Sequence, residues 1–160
     1  MDKNKITIIS DIMNVMKINC QFKDKKIAAK LNITCSELNC LKQYFDADVL
    51  SVKELAVRLN IASGGVTRIV ASLEEAGILR RDMDPNDRRG INVTLTKKGE
   101  KTSKELLNLS IKYFNTMFEK VSDKNMEKIL TGITLLNDIW VDNIENNDKL
   151  DVQLSGSDNC

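Results

Sequence analysis

Histidine is absent from this 160-residue sequence. That removes Ser-His and Cys-His catalytic dyads, the HExxH metalloprotease site and most zinc sites, so the chain is read as a non-enzyme with no metal and no cofactor. Proline occurs once and glycine seven times, which leaves few places to turn and predicts a mainly helical fold. No run of about 18 apolar residues is present to span a bilayer. The opening MDKNKITIIS lacks the zones of a signal peptide. A cytoplasmic location without membrane contact is therefore expected. The four cysteines, outside any secretory context, read as thiols and not as a disulfide framework. A net charge of +1 gives no global sign of a nucleic-acid partner, so any such case has to rest on local charge. The 42% of apolar residues is enough to fill one core.

Helical periodicity begins with Ile9, Ile12, Met13, Met16 and Cys20 on one face. Thr34 and Glu37 form a capping box ahead of Leu38, Leu41 and Phe45, and Ser51 and Glu54 form another ahead of Leu55 and Leu59. After a bend at Asn60 to Ala62, Val66, Ile69, Val70 and Leu73 mark a helix that ends at Gly77. Two such helices joined by about three residues make a helix-turn-helix. Ile78 to Met83, a turn-forming run from Asp84 to Gly90, and alternating Ile91, Val93 and Leu95 then predict a two-stranded hairpin with a charged tip. Helical periods return through Leu107, Ile111, Phe114, Phe118 and Val121. Ser122-Asp123 caps a last helix with Met126, Ile129, Ile133, Leu136, Trp140 and Ile144 as its stripe. Residues 146–160 are polar and aperiodic, and read as a disordered tail.

A helix-turn-helix followed by a hairpin is a winged helix. The segment from Ser51 to Glu100 carries Val66-Thr67-Arg68 in the second helix, LEEAGILRR leading into the wing, Asp87-Arg88-Arg89-Gly90 at the tip and VTLTKKG closing it. In these features it resembles the MarR family of bacterial transcriptional regulators. The resemblance implies one MarR-like domain over 1–145, with a winged-helix lobe at about 33–97 and dimerisation helices at about 4–31 and 98–145. It further implies a homodimer on double-stranded DNA at an inverted-repeat operator, acting as a repressor released by a small-molecule inducer or by thiol oxidation. In the family, the Asp-x-Arg pair shapes the wing and its arginine contacts DNA, which points to Asp87 and Arg89.

The residues support this independently. The apolar stripes of the terminal helices, with Phe114, Phe118 and Trp140, exceed what a small lobe covers and call for a partner surface. Arg58 to Gly99 holds eight Lys and Arg against five Asp and Glu, whereas Asp142 to Cys160 holds one against five. Positive charge is thus concentrated where phosphates would lie. Arg88 and Arg89 at a hairpin tip suit a narrow minor groove, and Ser63, Thr67 and Arg68 suit base edges. Gly64 and Gly65 stand where the family has Ser or Thr. Two readings stay open: bare amides approach a phosphate closely, or the weakened helix frays and DNA shape supplies more of the specificity. Cys35, in the first turn of its helix, and Cys20, on the apolar stripe, are the candidate redox sensors. For Cys20 and Cys40 the alternative role is small apolar filler. The competing functional class is a winged-helix protein-interaction module without DNA readout.

Overall fold

The computed structural model describes residues 3–83 and 90–145. Helix α1 (Lys3–Leu31) leads to α2 (Cys35–Lys42), strand β1 (Val49–Ser51), α3 (Val52–Leu59), α4 (Ser63–Glu75), β2 (Leu79–Met83), β3 (Ile91–Leu95) and α5 (Lys97–Phe118). A last helix, α6 (Asp123–Glu145), follows. The chain divides after Thr116 into two compact units. The mainly helical fold with a small β wing agrees with the sequence expectation.

Both capping boxes form. Thr34 Oγ1 accepts from the Glu37 amide while the Glu37 carboxylate accepts from the Thr34 amide, and Ser51 and Glu54 do the same for α3. The other ends of the helices show how a glycine-poor chain turns. Helices α1, α3 and α4 each stop with one residue in the left-handed region, Asn32 at φ 54°, Asn60 at 52° and Gly77 at 70°. The following residue then bonds back five positions, Ile33 to Ala28, Ile61 to Ala56 and Ile78 to Leu73. These are Schellman closures, and asparagine replaces glycine in two of them because its short polar side chain tolerates that conformation.

The sheet has three strands in the order β1-β3-β2, all antiparallel. The expected two-stranded hairpin is therefore incomplete. Val49–Ser51 adds an edge strand, with Leu50 opposite Val93 and Ser51 opposite Asn92. Three residues are too few to show alternation, so the strand exists only through its partner. Val93 sits opposite Leu50 on one side and Arg81 on the other, and its side chain is fully buried.

The core of the lobe is built from Leu38, Leu41, Leu50, Leu55, Val66, Val70, Leu73, Leu79 and Val93, joined by Ile27 and Ala28 from the end of α1 and Leu106 from α5. Each fully buried leucine contributes about 1.5–3 kcal/mol through removal of apolar surface from water. One sequence expectation is corrected. Phe45 lies beyond the end of α2 and is 45% exposed, and Tyr44 takes the inward place. The Tyr44 hydroxyl donates to the Val93 carbonyl at 3.2 Å, tying the segment after α2 to the wing, and burial raises its pKa. On α5 the anchor in the lobe is Leu106, while Leu107 and Ile111 face outward.

The junction from β3 to α5 explains the TKKG motif. Thr96 Oγ1 donates to the Gly77 carbonyl at 2.6 Å and accepts from the Gly99 amide at 3.1 Å, so one hydroxyl caps α5 and holds the turn after α4. A β-carbon on Gly99 would stand 2.1 Å from the Ile78 carbonyl oxygen. Only glycine fits there.

Candidate nucleic-acid interface

Helix α3, the turn at Asn60 to Ala62 and α4 form the helix-turn-helix, and α4 presents its N-terminal half outward. Ser63, Gly64, Thr67 and Arg68 are exposed, whereas Val66, Val70 and Leu73 point into the core. The 3.6-residue period alone imposes this division. Ala62 supplies no side-chain cap, so the first amides of α4 lack a capping oxygen. The Thr67 hydroxyl donates to the Ser63 carbonyl at 2.9 Å, which leaves an oxygen lone pair facing out. Among the described residues Arg68 has no ion-pair or hydrogen-bond partner.

The two glycines are helical, and nothing internal requires them. A β-carbon at Gly64 would meet no atom within 4 Å, and one at Gly65 would make ordinary contact with Ile61 Cδ1 at 3.5 Å. The expected wing-tip residues Asp87, Arg88 and Arg89, the tail 146–160 and Cys160 lie outside the described residues.

The cations of the lobe are not equivalent. Arg58 pairs with Asp46 at 2.8 Å, Arg80 with Asp82 at 3.2 Å, and Arg81 with Glu74 at 3.3 Å. The Lys98 ammonium donates to the Ala76 carbonyl at 2.6 Å, at the negative end of α4. A residue count treats all of these as available to phosphates. The structure leaves Lys53, Arg68 and Lys97 as the exposed cations without an intramolecular partner among the described residues of this lobe.

Beneath α4, Glu37 links two helices. Its carboxylate closes the α2 capping box and accepts from Ser72 Oγ at 2.5 Å. Burial pushes its pKa up, but the hydrogen bonds from Ser72 and from the backbone and side chain of Thr34 outweigh this and hold it below its ordinary value. The capping box was legible in the sequence. The long-range bond to Ser72, 35 residues away, was not.

Of the candidate redox sensors, Cys20 is exposed on α1 and Cys35 is half-buried in the first turn of α2. Cys40 is buried, and burial together with the nearby Glu37 charge pushes its thiol up to about 12, which keeps it unreactive. No cluster of three or more metal-ligating side chains occurs among the described residues, and no described helix is long and apolar enough to cross a membrane.

Comparison with known proteins places this geometry. The MarR family model matches residues 33–91, from α2 through the helix-turn-helix to β2 and the first residue of β3. The chain is 24% identical over 89 residues to the HTH-type transcriptional regulator BilQ of Clostridioides difficile strain CD3, covering 56% of this chain and 60% of that protein. It is 27% identical over 100 residues to the HTH-type transcriptional regulator SarZ of Staphylococcus aureus strain MRSA252, covering 62% of this chain and 64% of that one. Both alignments thus span under two thirds of the relative. Among solved structures, a MarR family protein from Bacillus stearothermophilus superposes with a TM-score of 0.82 at 18% identity, over 88% of this chain and 99% of that one, and so shares its fold. The helix-turn-helix, β1, β2 and the family match fall on the same residues, and the winged-helix lobe of this chain is similar to the MarR family over residues 33–91.

Proposed function

We propose that the chain is a dimeric, sequence-specific DNA-binding transcriptional regulator of the cytoplasm that represses by occupying an inverted-repeat operator. The observation that carries this reading is the outward half of α4, where Ser63, Thr67 and Arg68 stand together with no packing duty. Thr67 and Arg68 offer an acceptor and a charged fork to base edges in a major groove. Gly64 and Gly65 let the α4 backbone approach the duplex, a reading supported by the open space around Gly64 and by the absence of any contact at Gly65 tighter than Ile61 at 3.5 Å. By sequence, Arg88 and Arg89 are read as the residues that reach the adjacent minor groove, with Asp87 shaping the turn that carries them.

Dimerisation is supported by apolar residues with no cover of their own. Ile9, Ile12, Val15 and Phe22 on α1, Leu107 and Ile111 on α5, and Ile133 and Trp140 on α6 are all exposed. Segments at about 4–31 and 98–145 are read as the dimerisation helices of one MarR-like domain over 1–145, flanking the lobe at about 33–97. A second copy removes that surface from water, and its two-fold axis sets half-sites about 10 base pairs apart. Release from DNA follows binding of a small-molecule inducer or oxidation at Cys20 or Cys35, each favouring a lobe spacing that misfits the grooves.

Selection of duplexes from a random library, followed by sedimentation of the complex, tests this. The expected result is an inverted repeat bound by two chains. Equal binding of all sequences, or none, would mean that the lobe serves another partner.

A further inference from the structure

Arg81 lies on β2 opposite the fully buried Val93, and its side chain is only 27% exposed. Its guanidinium turns onto α4 and not toward solvent. Nη2 donates to the Thr67 carbonyl at 3.1 Å, and Nε lies 3.3 Å from the Glu74 carboxylate. Thr67 and Glu74 are seven residues apart, so two helical turns bring them onto one face of α4. Glu74 leans back toward the helix N-terminus, as helical side chains do, and meets the guanidinium between them. The Nε atom is buried, and Glu74 is its only charged partner among the described residues. Arg80, the next residue, faces the other side of the strand and pairs with Asp82 and Thr94.

We infer that Arg81 is a positioning residue for DNA readout and not a phosphate contact: held by Glu74, it clamps the wing strand to the Thr67 turn of the recognition helix. This inference rests on the DNA-binding reading above. The clamp sets the distance between the helix that enters the major groove and the wing beside it. Thr67 and Arg68 then meet base edges only while the strand holds their turn in place. Arginine suits the task because its planar fork donates to a carbonyl while its delocalised charge lies against a carboxylate.

Two variants separate this role from a plain charge. A phosphate contact contributes to counterion release, so its loss lowers the slope of log affinity against log salt by about 0.9 and weakens binding to every duplex alike. A positioning residue does neither. Arg81→Met and Glu74→Gln are compared with the unaltered chain by fluorescence anisotropy, on the duplex that chain selects and on a scrambled duplex of equal length, across a salt series.

For Arg81→Met, the expected result is a loss of about tenfold on the selected duplex, the size of one hydrogen bond to a charged group, with scrambled-duplex affinity and salt slope unchanged. Glu74→Gln removes a negative charge from the DNA-facing lobe, which by charge alone strengthens binding. The clamp requires the opposite on the selected duplex. Glu74 is a surface residue, so this variant is expected to fold even if Arg81→Met does not. A salt slope reduced by about 0.9 in Arg81→Met, or tighter selected-duplex binding by Glu74→Gln, overturns the clamp. If the unaltered chain selects no duplex, the DNA-binding reading itself fails, and this inference with it.

Discussion

Replacing Gly64 and Gly65 together by alanine sets stability against function in one experiment. Both residues are helical, within the first three positions of α4. Glycine costs a helix roughly 1 kcal/mol relative to alanine, because the unfolded chain loses more freedom on ordering. That gain is usually offset when the added methyl group meets something. Here Gly64 has open space within 4 Å, and Gly65 has only Ile61 Cδ1 at 3.5 Å. The two replacements therefore add about 1–2 kcal/mol, discounted somewhat because first-turn positions are less demanding than the helix centre. For a chain of this length each kcal/mol moves the melting temperature by about 2–4 °C. The double variant is expected to melt about 2–6 °C higher by circular dichroism and to bind its selected duplex more weakly, since two methyl groups now stand between the backbone and the phosphates. A lower melting temperature would contradict the open geometry around these glycines. Unchanged or tighter DNA binding would show that the backbone makes no close approach there.

Gly99→Ala is expected to do the reverse. Its β-carbon would lie 2.1 Å from a backbone carbonyl oxygen, so the start of α5 must shift, at roughly 3 kcal/mol, and helix propensity returns only about 1. Chemical denaturation measures the loss, and a stability equal to the unaltered chain would refute the packing described. Glu37→Gln probes the tie between α2 and α4. The folded carboxyl titrates below its ordinary value of 4.5, so the unfolded chain takes up the proton first as pH falls. The stabilisation is complete above that ordinary value and disappears as pH drops through the lower folded one. The glutamine variant should melt lower at neutral pH and converge with the unaltered chain in acid. A gap that persists at low pH would place the stabilisation elsewhere. For the thiols, alanine at Cys20 and Cys35 together is expected to abolish peroxide-dependent release from DNA. Release that persists in that variant would rule out both as sensors.

Much of the lobe was legible in the residues because its signals are local. A capping box needs three residues, a Schellman end needs a left-handed residue with its flanking positions, and a helix face needs only its period. Thr34 with Glu37, Ser51 with Glu54 and Val66 to Leu73 therefore read correctly from sequence. The TKKG motif was recognisable as a pattern, but its cause, the Ile78 carbonyl against Gly99, belongs to another element. Phe45 and Tyr44 differ by one position, and only the end of α2 at Lys42 decides which of them turns inward.

The sequence by itself determined that the chain is mostly helical, that a helix-turn-helix precedes a basic wing, and that Ser63, Thr67 and Arg68 share an outer face, since each follows from spacing within about a dozen residues. Tertiary structure alone decided which charges are spent inside the molecule. Arg81 reads in sequence as one more cation for DNA, yet it lies against Glu74 and the Thr67 carbonyl. Glu37 reads as a local cap, yet it also holds Ser72. The reason is physical: a charge is available to a phosphate only when no nearer partner has taken it. Nearness across 14 or 35 residues is set by packing and not by spacing.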